Sequence, residues 1–176
     1  DGTVDGTHFQ ERGARKLGLH PFPAPMAIAS VPYRGRPACA HCGFCIGFGC
    51  EMSAKSSTLY TMLPEAEATG RCEVRSESYV FRVDTNDKGR VTGVRYFDSD
   101  RREHFQKARA VVLCANGAES ARLLLMSANA KFPDGLANSS GLVGKNLMLH
   151  PYGSITGFFE QQMDGYRGPH IGTWSQ

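Results

Sequence analysis

The chain has 176 residues, a formal charge of +3, 41% hydrophobic and 21% charged residues, the make-up of an ordinary globular protein of one domain or one and a half. Its basic residues are scattered along the sequence, which argues against a nucleic-acid partner. No apolar run approaches the roughly 18–20 residues of a membrane span, and Asp1-Gly2-Thr3 has neither the basic nor the apolar stretch of a signal peptide.

In chain order, residues 8–18 (HFQERGARKLG) read as the end of a helix, with basic residues late and Gly18 as its cap. Prolines at 21, 23, 25, 32 and 37 remove backbone donors and restrict their neighbours, so this stretch is an ordered loop or irregular strand. A cysteine-rich loop follows. Ser53–Thr69 is predicted helical, with Pro64 as a break or as the start of a second short helix. Cys72–Val83 and Arg90–Asp98 are predicted strands about a turn at Asn86–Gly89. After a polar turn at Ser99–Glu103, the apolar run Ala108–Leu113 (ARAVVL) predicts a strand buried on both faces, as in a parallel sheet. CANGAESARLLLMS then turns into a helix whose Leu123–Leu125 run and Met126 suit a core-facing stripe. Residues 131–145 are loop-like, SITGFF beyond Pro151 is strand-like, and the polar end says little. A strand meander followed by strand–turn–helix predicts a mixed α/β or α+β fold.

Four of the six cysteines, Cys39, Cys42, Cys45 and Cys50, lie within twelve residues at spacing C-x2-C-x2-C-x4-C. Cys72 and Cys114 stand alone and read as buried small hydrophobes. A disulfide framework would spread its cysteines through a short secreted chain, and bridging neighbours in one loop demands strained geometry. Clustering points to a metal. Thiolates at this spacing, with Gly43, Gly47 and Gly49 among them, can turn inward together while backbone amides face inorganic sulfide. Bacterial ferredoxins share the first part of the spacing, but their next cysteine precedes a proline, where Glu51 stands here. Structural zinc sites are the rival, though these usually hold two separated C-x2-C pairs. Four ligands allow [4Fe–4S] and three allow [3Fe–4S]. His41, inside the loop, reads as a solvated neighbour, a donor to the cluster or a further ligand; Arg34 and Arg36 beside it tune a potential, dock an acceptor or are simply solvated.

In AVVLCANGAESARLLLMS, Ala115, Gly117 and Ala118 allow close approach of backbone to a bound group at a helix N-terminus. It is not a G-x-G-x-x-G fingerprint, and plain strand–helix packing remains the alternative. His150, before a proline in NLMLHP, either touches a flavin or substrate or caps local backbone.

VVLCANGAESARLLLMSAN, GLANSSGLVGKNLMLHP and the pair ESYVFRV and GRVTGVRYFD resemble the glucose–methanol–choline (GMC) oxidoreductase family. RGRPAC and the cysteine loop resemble its bacterial branch of flavin-dependent sugar dehydrogenases, some of which hold an iron–sulfur cluster there. The resemblance covers about residues 14 to 155. It implies an FAD-binding GMC-type fold of which this chain is a central part. Residues 1–70 would form a helix and the cluster loop, 71–155 a meander and strand–turn–helix of the FAD domain, and 156–176 a tail or the start of a substrate domain. It implies that the Val80 backbone meets the adenine, that Ala115, Asn116 and Gly117 line the dinucleotide, and that Glu119 and Ser120 lie close by. Cys39, Cys45 and Cys50 match cluster ligands best, with Cys42 at the fourth position.

By the same resemblance the enzyme oxidises a sugar, glycoside or alcohol and relays electrons from FAD through the cluster to cytochrome c or a quinone, with a small accessory subunit. A bacterial periplasmic setting is expected, with the cytoplasm as the alternative. The family's Gly-rich opening and its C-terminal histidine pair are not in this sequence, so no catalytic residue is assigned and the remainder of the enzyme is an expected partner. A ferredoxin-like electron-transfer module and a zinc-stabilised binding domain are the alternatives from other classes.

Overall fold

A computed structural model describes residues 6–160, 162, 165, 166 and 173–176. The signal-peptide reading at Asp1–Thr3 and much of the polar end, His170 included, lie outside these residues. The chain divides into two compact units, one formed by residues up to Glu73 with those from Ile155 on, the other by Val74–Ser154.

In the second unit, β-branched and aromatic residues on both sides of Asn86–Gly89 pair as expected. Strand β2 (Tyr79–Thr85) runs antiparallel to β3 (Val91–Phe97). Their turn is closed by Asn86, whose side-chain oxygen and carbonyl accept from the Arg90 and Gly89 amides. A third strand, β4 (Glu103–Lys107), completes a sheet of order β2-β3-β4. The sequence predicts a polar turn at Ser99–Glu103 and no strand after it, because EHFQK has no alternating pattern; the strand is exposed throughout, and its charges suit an edge. Gly93 of β3 faces β4 so closely that a Cβ would collide with the Gln106 carbonyl oxygen and the Phe105 ring. Asp84, Arg95 and Glu103 tie the three strands together, with Arg95 donating at 2.6 Å to each carboxylate.

Helix α3 (Asn116–Met126) packs on β2. The core is Val83, Leu123 and Leu136, with Val80, Val91, Val94, Val111, Leu113, Leu124 and Phe132 against it. Ser127 is fully buried. Its hydroxyl accepts from the Val83 amide at 2.9 Å and donates to the Leu123 carbonyl at 2.6 Å, joining helix to strand. Gly135, at φ +100°, brings its backbone against Leu124 where a side chain would not fit.

Several expectations are corrected here. Residues 72–78 are irregular: Glu77 takes φ +50° and the Ser78 hydroxyl bonds the Ser76 carbonyl, which bends the chain before β2 begins. ARAVVL is not a strand among the described residues. Val111 and Leu113 join the core while Val112 between them is 83% exposed, so one face is covered and not two. An apolar run becomes a strand only when neighbours take up its amides and carbonyls. In α3, Leu123 and Leu124 face the core, but Leu125 and Met126 are exposed. Cys114 is exposed and Cys72 half-buried.

In the first unit, α1 (Gly6–Lys16) ends on Arg15 and Lys16, and Gly18 takes φ +77°. Short strands β1 (Pro21–Pro23) and β5 (Thr173–Ser175) pair antiparallel, with the Phe22 and Trp174 rings edge-on at 6.2 Å. The helix expected from Ser53 is confined to α2 (Met62–Ala68). Before it, Ala54 and Ser56 bond back to Ala29 and Ala27, and Ser57 closes a turn with Tyr60 and Thr61. Apart from the Thr61 hydroxyl, which donates to the Ser57 carbonyl at 2.7 Å, these are main-chain bonds, and groups so committed are not free to continue a helix. Pro64 falls in the first turn of α2, where a missing amide costs nothing. SITGFF is not a strand; Ile155 and Phe158 are almost fully exposed and find no partner strand among the described residues. No helix among the described residues is long and apolar enough to cross a membrane.

Two measurements check this packing. Ser127→Ala leaves the Val83 amide buried and unpaired, so chemical denaturation of the second unit should register a loss of about 1–3 kcal/mol. Asp98, at the β3–β4 turn, is held below the ordinary carboxylate value of 3.8 by its 2.7 Å bond to His104 and then by the Arg102 and Asp100 amides. Its contribution is present above that ordinary value and lost as pH falls through the lowered one. Asp98→Asn should therefore be less stable than the parent at neutral pH, and the difference should vanish in strong acid.

Candidate functional site

The cysteine loop is held at both ends by backbone pairing. The Ala29 amide donates to the Ala54 carbonyl at 2.9 Å, the Ser56 amide to Ala27 at 2.7 Å, and the Cys39 amide to Ala29 at 2.8 Å. Arg36 donates to the Ser53 carbonyl and the Ser56 hydroxyl, both at 3.1 Å, so it braces the loop; Arg34 instead pairs with Glu65 at the surface. Within this frame Cys39, Cys42, Cys45 and Cys50 all border one hollow, with Ile28 and Lys55 on its wall. All four thiols are free; Cys42 is exposed and the other three are half-buried.

Amides point at two of the sulfurs. The His41 N–H donates to Cys39 Sγ and the Lys55 N–H to Cys50 Sγ, each at 3.4 Å. His41 sits at φ +53° with its ring exposed, so its amide is the group turned to sulfur. The Lys55 amide bond lowers the Cys50 thiol below its ordinary value of 9.0; burial opposes this, and the Ala54 and Met52 amides and the Lys55 charge add to it. Hydrogen bonds to the charged form favour thiolate, the form that binds metal. Among the described residues, no three Cys, His, Asp or Glu side chains gather around one point as ligands of a single ion. Four free cysteines, with amide donors to two of their sulfurs, are the donor chemistry that a thiolate-ligated metal centre draws on.

The second candidate site is the turn into α3. Ala115 precedes the helix at φ −94°, ψ 33°, and Asn116 takes φ +59°. The Asn116 side-chain oxygen accepts the Glu119 amide at 3.1 Å and so caps the first turn. Ala115, Asn116, Gly117 and Ala118 are exposed, and a Cβ on Gly117 would meet nothing within 4 Å. Glu119 is half-buried and pairs with Arg122 at 2.7 Å; that bond is the main reason its carboxyl lies below the usual range. Arg122 in turn lies 5.2 Å over the Tyr79 ring, next to Val80. Strand β2 and the first turn of α3 are thus clasped at the residues named for the adenine and the dinucleotide, with half-buried Ser120 alongside. Arg122 and Tyr79 were missed in the sequence, although the Glu119–Arg122 spacing of three was a legible helical pair. His150 is exposed, its Nδ1 2.9 Å from the Pro151 carbonyl, a contact with local backbone.

Residues 12–152 match the GMC oxidoreductase family. The chain belongs to it. It is 38% identical over 136 residues to the fructose dehydrogenase large subunit of Gluconobacter japonicus, covering 77% of this chain and 24% of that protein. It is 33% identical over 156 residues to the gluconate 2-dehydrogenase flavoprotein of Pantoea cypripedii, covering 85% and 25%. Against the 6'''-hydroxyparomomycin C oxidase of Streptomyces lividus it is 35% identical over 134 residues, covering 76% and 24%. The chain spans about a quarter of the length of these relatives.

The GMC turn yields a direct test. Asn116→Ala loses the cap, worth about 1 kcal/mol, together with the local side-chain bonding that lets asparagine tolerate the left-handed region better than alanine. Asn116→Gly keeps the backbone free, and cap residues replaced by Gly lose only a few tenths of a kcal/mol. Denaturation curves of the two variants should separate in that order.

Proposed function

We propose that this chain is the central part of an FAD-dependent dehydrogenase that oxidises a CH–OH group of a sugar, glycoside or alcohol. In this reading electrons leave through an iron–sulfur cluster in the cysteine hollow for cytochrome c or a quinone. The observation that carries it is the occurrence, in one GMC chain, of four free cysteines around a shared hollow. The sugar class rests on the names of the fructose and gluconate dehydrogenases it resembles.

Cys39, Cys42, Cys45 and Cys50 hold a [4Fe–4S] cluster, or three of them a [3Fe–4S] cluster. The Lys55 amide favours thiolate at Cys50, and the His41 amide donates to the Cys39 sulfur. At the other site the Val80 backbone meets the adenine, Ala115, Asn116 and Gly117 line the dinucleotide, and Glu119 and Ser120 lie beside it. FAD bound there would supply a hydride acceptor for the substrate carbon, and a cluster would supply a one-electron acceptor. The residues described here bind and orient; the proton acceptor lies in the enzyme's remainder. A cluster gives electrons an exit other than oxygen, which favours a dehydrogenase over an oxidase. The "large subunit" relative supports a small accessory subunit. The reading also locates the enzyme in the bacterial periplasm or at the periplasmic face of the inner membrane, within reach of such acceptors.

Purified full-length enzyme should contain iron and acid-labile sulfide, show broad visible absorption beyond that of flavin, and react slowly with oxygen. Cys45→Ser and Cys50→Ser should lose the iron while substrate still bleaches the flavin, and turnover with a cytochrome acceptor should fall at least about tenfold, the fall expected once the relay is cut. A protein with flavin but without iron or sulfide, or with zinc in their place, would refute the relay.

A further inference from the structure

Lys55 approaches the cysteine loop with more of its atoms than any role in chain pairing requires. Its ammonium donates to the Cys45 carbonyl at 2.8 Å and to the Phe48 carbonyl at 3.1 Å. Its amide donates to Cys50 Sγ at 3.4 Å, and its backbone bridges to Ile28 in the pairing that closes the loop. The residue also lines the hollow that the four cysteines border. Among the four loop cysteines the longest step is that from Cys45 to Cys50, through Gly47 at φ +79° and Gly49. Glycines leave that step free to move, and the ammonium holds it at two points. One side chain therefore fixes where Cys45 and Cys50 stand relative to each other, and it leaves a half-buried positive charge beside the hollow.

We propose that Lys55 is the positioning residue of the cysteine hollow, holding the 45–50 segment in place and raising the reduction potential of the cluster held there through its charge. This rests on the cluster reading above. Reduction adds one negative charge to the cluster, and a fixed cation nearby, where dielectric screening is weaker than in bulk water, favours the reduced form. The carbonyl bonds add a second effect: without them the loop opens and iron is lost more readily. Arg36 also carries a positive charge, but its bonds go to Ser53 and Ser56, so it braces the ends of the loop.

The test uses full-length enzyme carrying Lys55→Met, Lys55→Gln or Lys55→Arg, with iron, labile sulfide and flavin counted and the cluster potential measured by anaerobic redox titration followed by electron paramagnetic resonance. Lys55→Met should retain flavin, lose iron faster to a chelator and titrate at a lower potential. Lys55→Gln, which keeps a donor without the charge, should hold its iron better than Lys55→Met and still titrate lower. Lys55→Arg should restore both properties. Wild-type iron retention and potential in Lys55→Met and Lys55→Gln would overturn the proposal and leave the cluster standing. Should Lys55→Met fail to fold, an unchanged potential in Lys55→Gln overturns it alone. Parent enzyme without iron or sulfide removes the cluster reading itself, and with it this one.

Discussion

The cysteine site depends on a small patch of backbone pairing that closes a long loop. Ala27–Ala29 and Ala54–Ser56 exchange hydrogen bonds, and Ala54 is fully buried between them. Everything from Val31 to Ser53 hangs from that closure. A loop with so many glycines and prolines would otherwise sample many shapes, and bringing its cysteines together would cost ordering entropy. Here the ends are fixed first. Arg36 braces the exit, the Cys39 amide is tied to Ala29, and the remaining cysteines need only turn inward.

The two units solve different problems by different means. The cysteine unit has little regular structure and few buried side chains, so it depends on hydrogen bonds from arginine, lysine and main-chain amides. The other unit uses ordinary packing: a three-stranded sheet, one helix and a small apolar core sealed by Ser127. That packing fixes the Asn116 turn, because α3 cannot shift without breaking the bond from Val83 to Ser127. The Tyr79–Arg122–Glu119 clasp does the same at the helix's other end. Rigid support beneath an exposed, small-residue turn is what a bound dinucleotide needs.

Legibility followed from how local the cause was. The β2–β3 hairpin was readable because alternation and an Asn–Gly turn act within a few residues. Helix α3 was readable for the same reason, from its small-residue start to Ser127. Misreadings arose where a partner decides the outcome. ARAVVL has the composition of a buried strand, yet strand character depends on neighbouring backbone, and only Val111 and Leu113 find cover. EHFQK became a strand for the opposite reason: β3 offered it an edge despite an unpromising sequence. Ser53–Thr69 looked helical until Ser56 and Ser57 bonded elsewhere. The spacing of the four cysteines was plain in the sequence, whereas nothing in it marked Lys55, because a lysine that reaches back to two carbonyls has no periodic signature.

The central claim is that the cysteine hollow stores an electron beside those taken by a flavin. Stepwise dithionite addition to the anaerobic full-length enzyme counts those electrons directly. The account predicts an uptake of about three electrons per flavin, two by the flavin and one by the cluster. An end point of about two, with only flavin bands changing, would contradict it.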